Sequence, residues 1–331
     1  MSTPPSPVDI KDWRKYVTEL ITSKDSPAKF MLAGGVSGAV SRTCAAPFER
    51  LKILFQVQDV SSHMTSNLNT DAAQQGKKYK SIISGLMQIG KDEGYRGYFK
   101  GNGTNIVRVV PYTAAQFLSY EKYKQYISTY SSDGSLSVPQ RLLCGGLAGM
   151  TSVIVSYPLD VVRCRLSAQQ DRIVYKGIGD ALVVIFKQEG ISGLYRGLVP
   201  TLYGIAPYVA LNFTLYERLK FYAMQYQKSE DLGIVMKLGL GAVSGTVAQT
   251  ITYPFDVVRR RMQMLGYGGQ KVAYTSMTEG FKHVYKKYGF FGFYKGLVPN
   301  YLKVIPVVSI NFIVYEYMKK FLGLSGGGKE V

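Results

Sequence analysis

The sequence predicts an all-α membrane protein with three tandem repeats of about 100 residues, six transmembrane helices in a pseudo-threefold ring and three short helices. Two observations carry this prediction. Three different motifs each recur three times in the same order, within long stretches that contain glycine and an internal proline. The second observation is the hydropathy: its mean is zero, and no run of 18 apolar residues occurs. Both are expected when one face of each helix meets lipid and the other lines a water-filled cavity.

Three motifs fix the phase of the repeats. The first reads Pro-x-acid-x-x-base and occupies Pro47–Lys52, Pro158–Arg163 and Pro254–Arg259. The second reads aromatic-base-Gly and occupies Phe99–Gly101, Tyr195–Gly197 and Tyr294–Gly296. The third reads Tyr-Glu-x-x-Lys and occupies Tyr120–Lys124, Tyr216–Lys220 and Tyr315–Lys319. Repeat 1 has 15 more residues than repeat 2 between the first two motifs, and the polar stretch Ser61–Gly76, predicted to be a loop, accounts for them.

Each repeat is predicted to contain a long helix, a short amphipathic helix and a second long helix. The predicted first long helices are 28–57, 139–168 and 233–264, and the second ones are 102–127, 200–224 and 299–321. Glycines four residues apart open each first helix and are expected to let helix backbones approach closely, while an internal proline kinks each long helix. The predicted domains are an N-terminal extension 1–27, repeats 28–128, 139–225 and 233–322, and a tail 323–331.

The composition excludes several classes of protein. Lys and Arg number 40 against 22 Asp and Glu, and this net charge of +18 indicates nucleic acid, anionic lipid or an anionic substrate as a partner. The charges recur with the repeat and do not cluster on one face, which argues against nucleic acid. Three cysteines and two histidines are too few for a disulfide framework or a Cys/His zinc site, and no phosphate-binding glycine loop occurs. We therefore expect no enzyme, no metal and no cofactor.

The repeated motifs resemble the signature of the mitochondrial carrier family, in which the proline motif is followed by acid-Gly-x4-aromatic-base-Gly. The second part of this signature stands at Glu93–Gly101 and Glu189–Gly197, whereas the third copy has Tyr288 in place of the acid. The anchoring of that third loop is therefore expected to differ. The resemblance covers residues 28–322 and implies a monomeric, multi-pass transporter of the mitochondrial inner membrane that works by alternating access.

The resemblance also implies charged gates at both ends of the cavity. On the matrix side, the implied pairs between neighbouring repeats are Glu49 with Arg163, Asp160 with Arg259, and Asp256 with Lys52, braced by Gln56 and Gln263. Ser167 occupies the third brace position, so one brace is expected to be missing. On the cytoplasmic side, the residues implied to pair across neighbouring repeats are Glu121, Lys124, Glu217, Lys220, Glu316 and Lys319. Ordinary surface ion pairs would explain any one pair but not the threefold recurrence beside kinking prolines.

The aromatic-base-Gly motif precedes the second long helix of each repeat. Backbone N–H groups at a helix N-terminus, next to a cation, attract phosphate. The family resemblance implies that the phosphates belong to cardiolipin. The predicted lipid-binding residues are Lys100, Gly101, Arg196, Gly197, Lys295 and Gly296.

Substrate-binding residues are expected where the threefold symmetry is broken. Arg108 corresponds to Gly204 and Lys303 in the other repeats. Arg42 corresponds to uncharged residues in both other repeats. Arg42, Arg108 and Lys303 are thus cations at positions where not every repeat has one, near mid-membrane depth, where an ionisable residue is a functional candidate. Because arginine binds phosphate and sulfate with paired hydrogen bonds, we expect these three residues to bind an anion.

A second set of predicted substrate residues is uncharged. Gly204 followed by Ile205 resembles the adenine-nucleotide carriers of the family, and the missing side chain is predicted to leave a slot for a flat base. Tyr208, one turn further, would stack on that base. Gly34–Arg42 and Gln249–Asp256 most resemble fungal carriers of adenosine 5′-phosphosulfate and 3′-phosphoadenosine 5′-phosphosulfate. The predicted substrate is an adenine-containing anion. Coenzyme A or ADP/ATP-type transport is the alternative, and a soluble nucleotide-binding protein is a remote one.

Overall fold

A computed structural model describes residues 27–65, 81–129, 136–169, 173–227, 232–269, 272 and 274–324. These residues form α-helices and short 3-10 helices and contain no β-strand, which confirms the all-α prediction. The α-helices in chain order are α1 (Pro27–Thr65), α2 (Ile82–Gly97), α3 (Asn102–Val107), α4 (Val109–Thr129), α5 (Val138–Ala168), α6 (Ile178–Leu194), α7 (Leu198–Gln227), α8 (Ile234–Met264), α9 (Met277–Tyr288), α10 (Leu297–Leu302) and α11 (Val304–Phe321).

The three repeats have the same succession of helices. A long helix (α1, α5, α8) is followed by a short one (α2, α6, α9) and then by the second long segment (α3–α4, α7, α10–α11). The predicted boundaries of α5 and α8 hold to within one residue, whereas α1 continues to Thr65, beyond its predicted end. The start of the predicted loop Ser61–Gly76 is thus helical through Thr65. No Gly or Pro ends the helix earlier, and residues 66–76 lie outside the described part of the chain.

The second long segment is interrupted in two of the three repeats. The interruptions fall at Arg108, between α3 and α4, and at Lys303, between α10 and α11. Each lies three residues before a proline, Pro111 or Pro306. Proline lacks the N–H that would bond to the preceding turn, and its ring crowds the carbonyl of that turn. Both candidate substrate cations therefore stand at predicted kinks.

A glycine in the left-handed region ends the regular part of each short helix. Gly94, Gly190 and Gly289 have φ of 67°, 68° and 65°. A side chain at such a φ is strained, so glycine is the residue that permits this turn. The turn leads the chain directly into the aromatic-base-Gly motif and then into the second long segment.

The chain divides into two compact units, Ala46–Leu302 and a smaller unit formed by Met1–Ala45 with Lys303–Val331. In the larger unit, the last helix of one repeat packs along the first helix of the next, α4 against α5 and α7 against α8. Its main apolar cluster joins α1, α5 and α6 through fully buried side chains such as Val57, Val161 and Ile185. This cluster holds the proline-motif half of the first helices in place.

The glycine pairs that open the first long helices have a different role from the one predicted. A Cβ placed on Gly145, Gly149 or Gly241 would meet no atom within 4 Å, and at Gly245 it would meet only Asn212 Oδ1, at 3.7 Å. These glycines therefore do not mark the closest backbone approaches. Gly145 and Gly149 instead line the cavity described below, which their missing side chains widen.

Three of the described helical segments are long and apolar enough to cross a membrane: Gln140–Ala168, Leu198–Gln227 and Phe290–Phe321. Some of the other long helices carry their charges close together. Helix α8, for example, ends in Asp256 and three consecutive arginines, Arg259, Arg260 and Arg261. Charges of this kind are expected in a membrane helix whose polar face lines an aqueous cavity.

Candidate functional site

A cavity of about 650 Å³ lies in the larger unit, between α4, α5, α7 and α8. Its charged lining residues are Arg108, Arg141, Asp160, Arg163, Asp256, Arg259 and Arg260. Five arginines against two aspartates leave an excess of three positive charges. A cleft lined by one sign of charge with low-dielectric walls concentrates ions of the opposite sign, so this cavity attracts anions.

The uncharged residues predicted to bind a base all line this cavity. Gly204, Ile205 and Tyr208 lie on α7 and face the same space as Arg108. A Cβ on Gly204 would come within 3.1 Å of the Phe255 Cβ, so part of the space left by the missing side chain is used by helix packing. The predicted slot is therefore formed by Gly204 together with its neighbours, and Tyr208 supplies the aromatic face.

Arg108 has a counter-charge. Its guanidinium forms an ion pair with Asp160 on α5 and lies over the Tyr112 ring, 5.4 Å from the centroid. The sequence motifs predict no carboxylate partner for Arg108, which lines the cavity together with Asp160. The physical reason for the pair is burial: the Asp160 side chain is 4% exposed and that of Arg108 is 21% exposed, and a charge so shielded from water needs a partner.

The other two predicted substrate cations belong to the smaller unit. Arg42 lies on α1, and Lys303 lies between α10 and α11. Both interact with other groups, so neither is an isolated charge. Their part in an anion site stays a prediction.

The three predicted matrix-side pairs are all in contact. Arg163 on α5 pairs with Glu49 on α1, and Arg259 on α8 pairs with Asp160 on α5. Lys52 on α1 pairs with Asp256 on α8, with 2.7 Å between Nζ and Oδ2. Each pair joins the first helix of one repeat to the first helix of another, and Asp160 accepts from both Arg108 and Arg259. The same carboxylate therefore belongs to the pairs and to the cavity.

Two asparagines that the motif search did not single out support these pairs. The Asn105 amide donates to Glu49 Oε2 at 3.2 Å, and Lys52 Nζ donates to Asn300 Oδ1 at 3.1 Å. Each lies four residues after the glycine of an aromatic-base-Gly motif, and repeat 2 has Thr201 at that position. A search at fixed offsets from that glycine would have found them.

The predicted glutamine braces donate to tyrosine hydroxyls. Gln56 Nε2 donates to Tyr253 at 3.0 Å, and Gln263 Nε2 donates to Tyr157 at 3.2 Å. Each tyrosine precedes the proline of its motif, but repeat 1 has Ala46 there. The boundary between repeats 1 and 2 thus lacks both the glutamine and the tyrosine, because Ser167 and Ala46 occupy these positions. The Ser167 hydroxyl instead donates to the Lys100 carbonyl at 3.1 Å. The missing brace is replaced by a smaller contact.

The predicted cytoplasmic-side pairs between repeats 1 and 2 are not formed among the described residues. Lys319 pairs with Glu316 of its own helix at 3.0 Å. The other members, Glu121, Lys124, Glu217 and Lys220, make no ion pair with any group in the described ranges.

The glycines of the aromatic-base-Gly motifs are close-packed. Their φ values are +82°, +83° and +84° for Gly101, Gly197 and Gly296. A Cβ would lie 2.9–3.1 Å from the carbonyl oxygen of the last residue of a proline motif in another repeat, namely Arg163, Arg259 and Lys52 respectively. Both the dihedral angle and the contact require glycine. The motif therefore docks the start of each second long segment onto the first long helix of another repeat.

The basic residues of these motifs contact their own loop. Lys100 pairs with Glu93, and Arg196 pairs with Glu189 and donates to the Leu265 carbonyl at 2.7 Å. The same acids bind a buried arginine of a first long helix: Arg50 Nη2 lies 2.7 Å from Glu93, and Arg165 Nη2 lies 3.0 Å from Glu189. Each acid thus holds two cations.

Tyr288 takes the place of the acid in repeat 3. Arg261 lies over its ring at 4.1 Å from the centroid, and Lys295 lies over it at 3.9 Å. These cations stand where Arg165 and Arg196 stand in repeat 2. The expected difference in anchoring is therefore an exchange of ion pairs for cation–π contacts, which stabilise by about 0.5–2 kcal/mol each.

A second cavity, of about 670 Å³, adjoins one of these motifs. It is lined by Arg196 and Gly197 at the start of α7 and by Ser276, which precedes α9. Tyr274 also lines it, and burial raises the pKa of this phenol to about 12, so the group is neutral at physiological pH. Two helix N-termini thus meet one cavity beside a cation. Within the described ranges, no group of three or more His, Cys, Asp or Glu side chains is arranged to hold a metal ion.

Sequence reasoning missed two arginines of the main cavity. Arg141 lies near the start of α5, where its Nε donates to the Leu136 carbonyl at 3.0 Å. Arg260 lies among the gate residues on α8. The sequence does contain a signal for Arg260, because the equivalent residues of the other repeats, Ile53 and Cys164, are uncharged. However, Arg260 stands in a run of three arginines, and the sequence does not specify which way each side chain points.

Comparison with protein families gives one match over nearly the whole chain. The family model described as mitochondrial carrier protein matches residues 23–131, 134–227 and 230–326. The three matches coincide with the three repeats.

Curated relatives cover most of the chain. The mitochondrial adenine nucleotide transporter ADNT1 of Arabidopsis thaliana is 41% identical, over 90% of this chain and 88% of that protein. The mitochondrial carrier protein CoAc2 of Zea mays is 38% identical, over 87% of this chain and 85% of that protein. The mitochondrial adenyl nucleotide antiporter SLC25A24 of Danio rerio is 37% identical, over 90% of this chain and 59% of that protein.

Proposed function

The chain belongs to the mitochondrial carrier protein family, and from that premise we propose that it exchanges adenine-containing anions across the mitochondrial inner membrane by alternating access. Members of the family are transporters and not enzymes. Two of the relatives described above are named for adenine nucleotides, one as a transporter and one as an antiporter. This proposal gives the substrate class and the membrane, which the family alone leaves open.

The observation that carries the proposal is the composition of the main cavity. Arg108 and the helices α5 and α8 supply arginines in excess of carboxylates, and α7 supplies Gly204, Ile205 and Tyr208. An adenine compound with anionic groups satisfies both parts, since its base is flat and its other end is charged. A dicarboxylate such as malate would leave the uncharged part of the cavity without a partner. The volume, about 650 Å³, is within the usual range for small-molecule sites.

The contact between Arg108 and Asp160 links this cavity to the matrix-side pairs. An anion that binds Arg108 competes with Asp160 for the same guanidinium. Asp160 then keeps Arg259 alone, and the charge contact that joins α5 to the α3–α4 segment is lost. We propose that the three matrix-side pairs form a gate and that the substrate weakens it in this way. An empty cavity keeps the gate closed, which favours exchange over leak.

The cytoplasmic-side charges complete the proposed cycle. When the matrix-side pairs separate, the Tyr-Glu-x-x-Lys segments are proposed to meet and close the opposite end. Glu217 and Lys124 are exposed here, so both are available for such contacts. One state then has the matrix-side ion pairs formed and the other has the cytoplasmic-side ion pairs formed. Neither state leaves buried charges without partners.

We further propose cardiolipin as the lipid partner of a monomeric protein. The second cavity supports this proposal because its wall contains Arg196 and the N-terminal ends of α7 and α9. Free backbone N–H groups at helix N-termini bind phosphate. The pairing of Arg196 with Glu189 leaves these N–H groups as the main donors.

The experiment that tests the substrate class is uptake by purified protein in liposomes, each preloaded with the compound offered outside. The panel contains AMP, ADP, ATP, adenosine 5′-phosphosulfate, 3′-phosphoadenosine 5′-phosphosulfate, coenzyme A and malate. We expect uptake of adenine compounds and none of malate. Among them we expect the phosphosulfates to be exchanged best, because two sequence strings resemble carriers of these compounds. Malate exchange without a response to any adenine compound would overturn the proposal.

A further inference from the structure

Arg260 lines the main cavity but makes no ion pair within the described part of the chain. Its Nη1 donates to the Gln263 side chain at 2.9 Å, and its Nε is buried without a hydrogen-bond partner among the described groups. A half-buried guanidinium whose Nε is shielded from water is costly to leave with so few contacts, because nothing replaces the water that burial removes. Such a residue is expected where a ligand supplies the missing acceptor.

The neighbours of Arg260 set its depth in the cavity. It stands next to Arg259 of the Asp160 pair, and its charge is within electrostatic reach of Asp160 and Asp256. Both aspartates already hold cations, Asp160 through Arg108 and Arg259 and Asp256 through Lys52. An anion at Arg260 therefore meets neutralised carboxylates at the gate end of the cavity.

The repeat shows that the position does not need a charge for folding. The equivalent residues are Ile53 in repeat 1 and Cys164 in repeat 2, and both are buried. A cation present in one repeat of three breaks the symmetry in the way that a substrate contact requires. Arg261, the next residue, is the matched comparison, because it lies over the Tyr288 ring and does not line the cavity.

We propose that Arg260 is a substrate ligand that binds the anionic group nearest the gate and makes the protein prefer adenine compounds with several anionic groups over those with one. This proposal rests on the proposed function. Arg108 and Arg260 then bind successive anionic groups of one ligand, while the base lies toward Tyr208. A compound with one phosphate satisfies only one of the two arginines.

The test compares the ratio of the KM for AMP to the KM for ATP in exchange assays. Wild-type protein is expected to have the lower KM for ATP, and Arg260→Gln should reduce the ratio about tenfold, the effect of losing one charge-assisted hydrogen bond. Arg260→Lys should retain most of the ratio. Arg261→Gln should lower the melting temperature and leave the ratio unchanged. An unchanged ratio in Arg260→Gln, or no ATP preference in the wild type, overturns the inference.

A second measurement separates this inference from the substrate class. Tripolyphosphate, which has no base, should raise the melting temperature of the wild type and of Arg261→Gln, but not that of Arg260→Gln. If no adenine compound is exchanged while this pattern holds, the proposed function fails and the anion site stands. If the tripolyphosphate shift is absent in the wild type or kept in Arg260→Gln, the anion site fails. Should Arg260→Gln not fold, Arg260→Cys carries the residue that repeat 2 has at this position and replaces it in both assays.

Discussion

Three consecutive arginines at the end of α8 make three different contacts. Arg259 pairs with Asp160, Arg260 lines the main cavity, and Arg261 lies over the Tyr288 ring. Successive helical residues point about 100° apart, so each arginine faces a different neighbour. Arg259 is therefore a proposed gate residue, Arg260 a proposed substrate ligand and Arg261 a packing residue. Substitutions at the three positions are expected to have different effects on transport and stability.

Replacement of Arg108 by alanine is expected to remove transport while the protein stays folded. Asp160 keeps its pair with Arg259, so no buried carboxylate loses every partner. The loss of one charge-assisted contact of about 1.5–3 kcal/mol to the substrate predicts an exchange rate lower by about 10- to 100-fold. Exchange is measured in liposomes, and the melting temperature reports folding. Arg108→Lys is the control that keeps the charge, and near wild-type exchange by Arg108→Ala would contradict the assigned role.

The sequence predicts paired gate residues better than cavity residues. Glu49, Asp160 and Asp256 occupy the same motif position in each repeat, so periodicity alone selects them and the resemblance supplies their partners. The contact of Arg108 with Asp160 was not predictable, because it depends on the direction of one long side chain from a helix interruption. Arg260 was missed for the same reason.

At the scale of helices and loops, the acid of the second motif part holds the short helix to a first long helix. In repeats 1 and 2, Glu93 and Glu189 each bind two cations. In repeat 3, one aromatic ring does so. In each repeat, two cations bind one side chain between the short helix and the first long helix. This explains why the replacement of the acid by Tyr288 leaves the helix order unchanged.

Tyr288→Leu is expected to destabilise the protein by about 1–3 kcal/mol, because it removes two partly buried cation–π contacts and keeps most of the apolar volume. Tyr288→Phe keeps the ring and should be nearly neutral. Thermal unfolding of the purified variants gives both values. Equal melting temperatures for Tyr288→Leu and Tyr288→Phe would show that the ring contacts do not anchor this loop.

Helix order was predictable because hydrophobic and proline patterns recur, but the role of the paired glycines was not. A glycine pair in an apolar helix predicts close packing, whereas Gly145 and Gly149 border a cavity. Both uses need a small residue, so the sequence cannot separate them. The extension of α1 to Thr65 is likewise set by the absence of an early helix-ending residue.

At the scale of the whole molecule, the matrix-side pairs join the first helices of all three repeats. Glu49 with Arg163 is better suited to a charge swap than Asp160 with Arg259, because it does not include Asp160, the carboxylate that also pairs with Arg108. The pair Asp160 with Arg259 is less suitable, since an arginine at position 160 would face Arg108. The structure thus distinguishes pairs that the motif alone treats as equivalent.

The double variant Glu49→Arg with Arg163→Glu is expected to transport at least about tenfold faster than either single variant, because each single change leaves two like charges in contact. The corresponding swap of Asp160 and Arg259 should recover less. Exchange rates of the six variants in liposomes test both statements. A Glu49/Arg163 double variant no faster than the better single variant would show that this pair does not form the gate.

The central claim is that one cavity binds an adenine-containing anion and that its occupation opens the matrix-side gate. The most direct measurement is the initial rate of labelled ATP uptake into liposomes that contain either unlabelled ATP or buffer alone. We expect rapid uptake only in the preloaded liposomes, because Arg108 stays paired with Asp160 and the gate stays closed when the cavity is empty. Equal rates with and without internal ATP, or no uptake of any adenine compound in either case, would contradict it.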